Sequence, residues 1–171
     1  MRSSGSASAN VMAADALVDT GAIVVLLNRA DRWHDICLET FETFQLPLVT
    51  SEAVLTEAFH FAASHRRGME AAWAFIRSGA VKLAEIQDSE LRDIHALMSR
   101  YWDRPMDFAD ATLVYLAKWE SLSTIFTVDH ADFETYRIEG RRRFRVLPSH
   151  NRKFPWMTNR REDCRLGEVA S

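Results

Sequence analysis

Short apolar runs alternate along this chain with longer segments of helical period. Ala16–Asp19 reads as a first strand that ends in a carboxylate, and Thr20-Gly21 turns the chain into a second apolar run. Ala22–Asn28 has strand propensity, but the hydroxyl–glycine pair before it and the Asn after it fit a short helix better. Asp31 is then predicted to cap a second helix, with Trp33, Cys37, Phe41 and Phe44 on one face. Pro47-Leu48-Val49 reads as a short buried strand. Thr50-Ser51 signals the start of a third helix, running to about Ser64, with Val54, Leu55, Ala58, Phe59 and Ala62 inward. Arg67-Gly68 is expected to break the chain before a fourth helix, Met69–Ser78, which Gly79 ends. Val81–Ala84 is a third strand. Asp88 or Ser89 is predicted to cap a fifth helix through Leu91, Ile94, Leu97, Met98 and Tyr101. Asp103-Arg104-Pro105 stops it, and a sixth helix follows from Met106-Asp107 to about Glu120. Thr124–Val128 is a fourth strand, Asp129–Phe133 a turn, and Arg143–Leu147 a fifth strand in which Phe144 and Val146 alternate with arginines.

Strands alternating with helices imply an α/β domain with a parallel or mostly parallel sheet and helices on both faces. A length of 171 residues suits one domain with a real core. The expected organisation is a loose leader over 1–14, a folded domain over 15–148 and a C-terminal tail over 149–171. A net charge of −3 excludes a globally basic nucleic-acid binder but not a local basic patch. Cys37 and Cys164 lack the spacing of a disulfide framework or a zinc site, and Cys37 reads as a core thiol. No run approaches the ~20 apolar residues of a membrane span and no signal peptide is evident, so the expected location is cytoplasmic.

Four carboxylates fall where such a sheet would gather them. Asp19 ends strand one, Glu57 sits mid-helix beside the apolar Ala58 and Phe59, Asp110 lies in the first turn of helix six, and Asp129 ends strand four. Carboxylates sharing a small site repel, so protons or a cation must join them. All-oxygen donors suit Mg²⁺ or Mn²⁺, whose chemistry with phosphate is metal-dependent phosphodiester hydrolysis by a metal-activated water. Each acid also has a structural use. Asp110 gains from the helix dipole, Asp107 reads first as the N-cap of the same helix, and Asp132 as a tie within its turn. The histidines are scattered. His34, His95 and His130 read as solvated or surface positions. No phosphate-cradling glycine loop is present.

Taken together, Leu17-Val18-Asp19-Thr20, the segment from Val49-Thr50-Ser51 to Leu55-Thr56-Glu57, Asp107-Phe108-Ala109-Asp110-Ala111 and Thr127-Val128-Asp129-His130-Ala131-Asp132-Phe133 resemble the PIN domain. The likeness is strongest to the ribonuclease toxins of bacterial VapBC-type toxin–antitoxin modules. Tyr136-Arg137 and Phe144-Arg145-Val146-Leu147-Pro148 continue the pattern. The resemblance implies a PIN-like three-layer sandwich with a mostly parallel five-stranded sheet. It also implies an Mg²⁺ (or Mn²⁺) site of Asp19, Glu57, Asp110 and Asp129, with Thr20, Thr127, Asp107 and Asp132 in support, the four acids facing one another across a gap that one ion bridges.

The family further implies a single-strand-specific endoribonuclease, a homodimer and a small antitoxin encoded alongside, with DNA contacted only through that antitoxin. Candidate RNA-binding cations are Arg66 and Arg67, and Arg141, Arg142, Arg143 and Arg145, each equally at home on a solvated surface. Trp33, Trp73, Trp102 and Trp119 serve either the core or a dimer face. Two other readings share the fold: an inactive PIN-like module that binds RNA or protein, and a non-toxin nuclease of RNA processing.

Overall fold

The structure, a computed structural model, describes residues 14–104 and 106–149. Apart from Ala14 and Ser149, the expected leader and tail lie outside the described residues. The strands are Leu17–Val18 (β1), Leu48–Thr50 (β2), Val81–Leu83 (β3), Thr124–Phe126 (β4), Arg137–Ile138 (β5), Arg142–Arg143 (β6) and Arg145–Leu147 (β7). The helices are Thr20–Leu27 (α1), His34–Phe41 (α2), Glu52–Ala62 (α3), Arg66–Arg77 (α4), Leu91–Arg100 (α5), Phe108–Trp119 (α6) and His130–Phe133 (α7). Five strands form one wholly parallel sheet in the order β3-β2-β1-β4-β7, while β5 and β6 form a separate antiparallel hairpin. This is the α/β sandwich expected from the alternation of strands and helices.

The register explains why the strand runs are so uniformly apolar. Leu17 of β1 lies between Val49 of β2 and Ile125 of β4, and all three are fully buried. Strands of a parallel sheet are covered on both faces, so they lose the alternation of a half-exposed strand. Helix α6 is likewise buried from Ala111 through Ala117. The order of strands reverses beside β1: the chain moves outward through β2 and β3, then returns to β4 on the other side. A crevice opens at such a switch point, outside the carboxyl ends of the strands.

Several local expectations change. Helix α4 begins at Arg66, so Gly68 lies inside it rather than breaking the chain. A Cβ on Gly68 would meet the Ala62 carbonyl oxygen at 2.6 Å, so glycine here permits the start of α4 to lie against the end of α3. Asp31 accepts from the Trp33 amide (2.8 Å) in a turn ahead of α2, whose N-cap is Trp33. Helix α5 is preceded by a 3₁₀ turn, Asp88–Glu90, whose cap is Gln87, in a reciprocal arrangement with Glu90, instead of Asp88 or Ser89. The predicted fifth strand is divided at Phe144 into β6 and β7. Residues 130–133 form a helical turn, in which His130 is buried rather than on the surface. His34 is half-buried, with Nδ1 3.0 Å from the Val25 carbonyl oxygen. Cys37 is buried as expected, and burial pushes its thiol up to about 12.

Candidate functional site

The switch point is occupied by Asp19. Its backbone N–H continues the ladder by donating to Phe126 O (3.0 Å), so the β1–β4 pairing fixes where the residue stands. Its side chain is the N-cap of α1 and accepts from the amides of Thr20 (2.6 Å) and Gly21 (3.3 Å). The Thr127 hydroxyl, at the end of β4, donates to the second carboxylate oxygen at 2.7 Å. Capping and site placement are therefore the same geometry. Gly21 is required by it: a Cβ there would lie 2.8 Å from Val128 Cγ2 and 3.4 Å from Asp19 Oδ2.

Three further elements bring acids to this crevice. From α3, Glu57 accepts from the Thr20 hydroxyl (3.0 Å), which also lies 3.3 Å from Val54 O. Ser51 caps α3 through the Val54 amide and meets the Thr112 hydroxyl at 2.7 Å, tying the start of α3 to α6. From the start of α6, Asp107 is the N-cap and accepts from the Asp110 amide (2.8 Å), as its spacing predicts. Asp110 in turn accepts from the hydroxyl of Tyr136 (3.0 Å). From α7, Asp129 is the N-cap, accepting from the Asp132 amide (3.3 Å), while its own amide donates to the Thr127 hydroxyl (2.9 Å). Asp132 faces Arg104 at 3.5 Å.

Asp19, Glu57, Asp107, Asp110, Asp129 and Asp132 all line one open cleft of about 410 Å³, and no lysine or arginine lines it. The electrostatics follow from that imbalance. Burial raises Asp19 to about 6 against the hydrogen bonds from Thr127, Thr20 and Gly21 that favour its anion. Asp110 is pushed further, to about 8, by burial and by the charges of Asp107 and Asp19, with the Tyr136 hydrogen bond opposing. Asp132 is raised by burial and by Asp129, and Arg104 works in the other direction.

An oxygen-only donor set whose members disfavour one another's ionisation fits a hard divalent cation, which would stabilise the anions together. The set is not a finished cage. Among the described residues no three Asp, Glu, His or Cys side chains are close enough to enclose an ion, so the expected gap for a single bridging ion is not present as such. The lining that would hold a cation is Asp19, Glu57, Asp110 and Asp129, with Asp107 and Asp132 on the same wall.

Tyr136 enters the sequence pattern only as part of Tyr136-Arg137, with no role at the site. It is fully buried, edge-on to Tyr101 (5.1 Å between centroids) and Phe133 (5.5 Å), with only its hydroxyl committed to Asp110. Its lone signal is a tyrosine shortly after the last acidic motif. The basic candidates stand elsewhere. Arg145 pairs with Thr124 at the amino end of β4, the opposite rim of the sheet, and Arg141, Arg142 and Arg143 belong to the exposed hairpin before it. Arg66 and Arg67 are exposed on the first turn of α4. None of the six lines the cleft.

Comparison with known proteins agrees with the fold. The PIN domain family model matches residues 16–139. Ribonuclease VapC26 of Mycobacterium tuberculosis is 30% identical over 135 residues, covering 77% of this chain and 99% of that protein. The crystal structure of VapC20 from Mycobacterium tuberculosis, described as a sarcin-ricin loop cleaving toxin, superposes with a TM-score of 0.60 at 22% identity. That alignment covers 68% of this chain and 91% of the other.

Proposed function

Because the chain belongs to the PIN-domain family and is of the VapC type, we propose that it is a metal-dependent endoribonuclease toxin neutralised by a cognate antitoxin. The observation that carries the reading is the convergence of six carboxylates from four places in the chain on one crevice lined by no lysine or arginine. A fold chosen for stability alone would not gather six carboxylates, of which Asp132 alone faces a cation in Arg104, in one half-buried cleft, since each raises the cost of ionising the next.

A bound Mg²⁺ or Mn²⁺ would lower the pKa of a water near phosphorus and neutralise charge on the attacking and leaving oxygens. The protein's part is to hold the acids that bind the cation. Asp19 is aimed by two backbone amides and Thr127, Glu57 by Thr20, and Asp110 by Tyr136. Asp107 and Asp129 are held at helix starts by the amides they cap. No side-chain nucleophile is required, and the open form of the cleft suits an extended RNA strand.

An RNA substrate, a VapB-type antitoxin, a homodimer and a cytoplasmic location complete the proposal. Among the described residues no helix is long and apolar enough to cross a membrane. Trp102, 82% exposed beside Met98 and Met106, offers an apolar surface for a second copy.

The test is direct. Purified protein should cleave single-stranded RNA with Mg²⁺ or Mn²⁺ and stop on chelation, and its expression without the antitoxin should arrest growth. Asp19→Asn should abolish both while keeping the cap and the fold, since Asn also serves as an N-cap. Cleavage by the purified variant at the parent's rate would refute the assignment.

A further inference from the structure

A second groove, of about 380 Å³, adjoins the acidic cleft, and Phe61 and Val24 border both. Its remaining wall includes Asn28 after α1, Ser64 and His65 in the turn between α3 and α4, and Gly68 in the first turn of α4. Phe61 is 60% exposed on the ridge between the two spaces. A lone exposed Phe is ordinary. This one lines the acidic cleft beside Val24, Val25 and Val128, and it is the one Phe, Tyr or Trp ring among the residues that line either space. Ser64 donates to Phe61 O (3.3 Å) and lies 3.0 Å from His65 Nδ1, so the polar edge of the groove is held close to the ring. Arg66 and Arg67, both exposed, follow at once on the first turn of α4.

We propose that Phe61 and this groove form a nucleobase subsite. The base of a nucleotide next to the scissile phosphate stacks on the Phe61 ring, its polar edge meets Asn28, Ser64 and His65, and the strand continues toward Arg66 and Arg67. Single-strand binders combine these parts: an aromatic face, which every base can use, beside cations that follow the backbone. The choice of RNA as the strand rests on the ribonuclease reading above. The two exposed arginines that follow His65 directly in the chain favour a nucleic acid over an apolar peptide as the occupant.

The experiment measures binding of a short, fluorescently labelled single-stranded RNA of mixed sequence to Asp19→Asn protein, so that no cleavage is needed. Adding Phe61→Ala should weaken binding by roughly 5- to 100-fold, the range of one lost base stack. Phe61→Trp should match or exceed the parent, and Phe61→Leu should be nearly as weak as alanine. An oligomer of the same charge with its bases removed should bind independently of residue 61. Leucine equal to phenylalanine, or an equal loss with the abasic strand, would overturn the proposal. So would an unchanged RNA affinity in Phe61→Ala accompanied by loss of antitoxin binding, which would make the groove a protein-docking site. A protein that shows the predicted binding pattern yet never cleaves RNA would refute the nuclease reading and leave the subsite standing.

Discussion

The acidic cleft and the arginine-rich hairpin are opposites in sequence as well as in charge. The acids of the cleft are scattered from Asp19 to Asp132 and meet only because β1, α3, α6 and α7 bring them to one rim. The arginines of 137–145 are nearly contiguous, yet none of them lines the cleft, and they are partly spent on local structure. Arg137 donates to the carbonyls of Glu134, Thr135 and Tyr136 (2.7–2.8 Å), and Arg142 pairs with Glu139 at 3.1 Å. A run of like charges along the chain is thus a weak sign of a site. Like charges that are distant in sequence and joined by the fold are a strong one, because holding them together works against their repulsion.

After the loss of Asp19 itself, the largest change on the acidic side should come from Thr127→Val. It keeps the shape but removes the donor to Asp19 and the acceptor for the Asp129 amide. Cleavage should fall about 10- to 100-fold, as for an outer partner of a metal ligand, with about 1 kcal/mol lost in thermal or denaturant unfolding. An undiminished cleavage rate would mean that Asp19 is aimed by the backbone alone.

The pH dependence of stability should separate the regions next. Asp19 and Asp110 are raised from 3.8 to about 6 and about 8, so the folded chain binds their protons more tightly than the unfolded chain does. Between those values the unfolded state carries fewer protons, and stability falls as pH rises. In chelator the melting temperature should therefore drop from mildly acidic to mildly alkaline pH. Asp110→Asn should remove most of that slope, and Mn²⁺ should flatten it in the parent. A melting temperature that climbs through this window in chelator would contradict the electrostatics of the cleft. The smallest effect belongs to the hairpin: Arg141, Arg142 and Arg143 together replaced by alanine should leave cleavage within about two-fold, the scale of ordinary surface changes. A loss comparable to that of Thr127→Val would bring the hairpin into the RNA path.

The sequence is most readable where burial is most complete. The runs of β1, β2 and β4 lie between covered faces, and an unbroken apolar stretch bounded by turn residues identifies them. The caps Ser51 and Asp107 are readable because their bonds span three residues. The hairpin β5–β6 is hidden, since its strands are largely arginine and its pairing is polar. Gly68 misleads because the reason for glycine is a neighbouring helix end, which no local pattern records. The Tyr136–Asp110 and Ser51–Thr112 contacts join residues 26 and 61 apart, and nothing nearby in the chain announces them. The four principal acids are individually ambiguous and become persuasive only as an ordered set.

The bond from Thr127 to Asp19 spans 108 residues, and Gly21 is fitted against Val128 across a similar distance. This has a consequence in time. During synthesis the first acid is made early, but its partner from β4 must leave the ribosome before the cleft can close around it, and translation proceeds at about 5–20 residues per second. A nascent chain lacks the complete cleft until the segment from Thr127 to Asp132 has emerged.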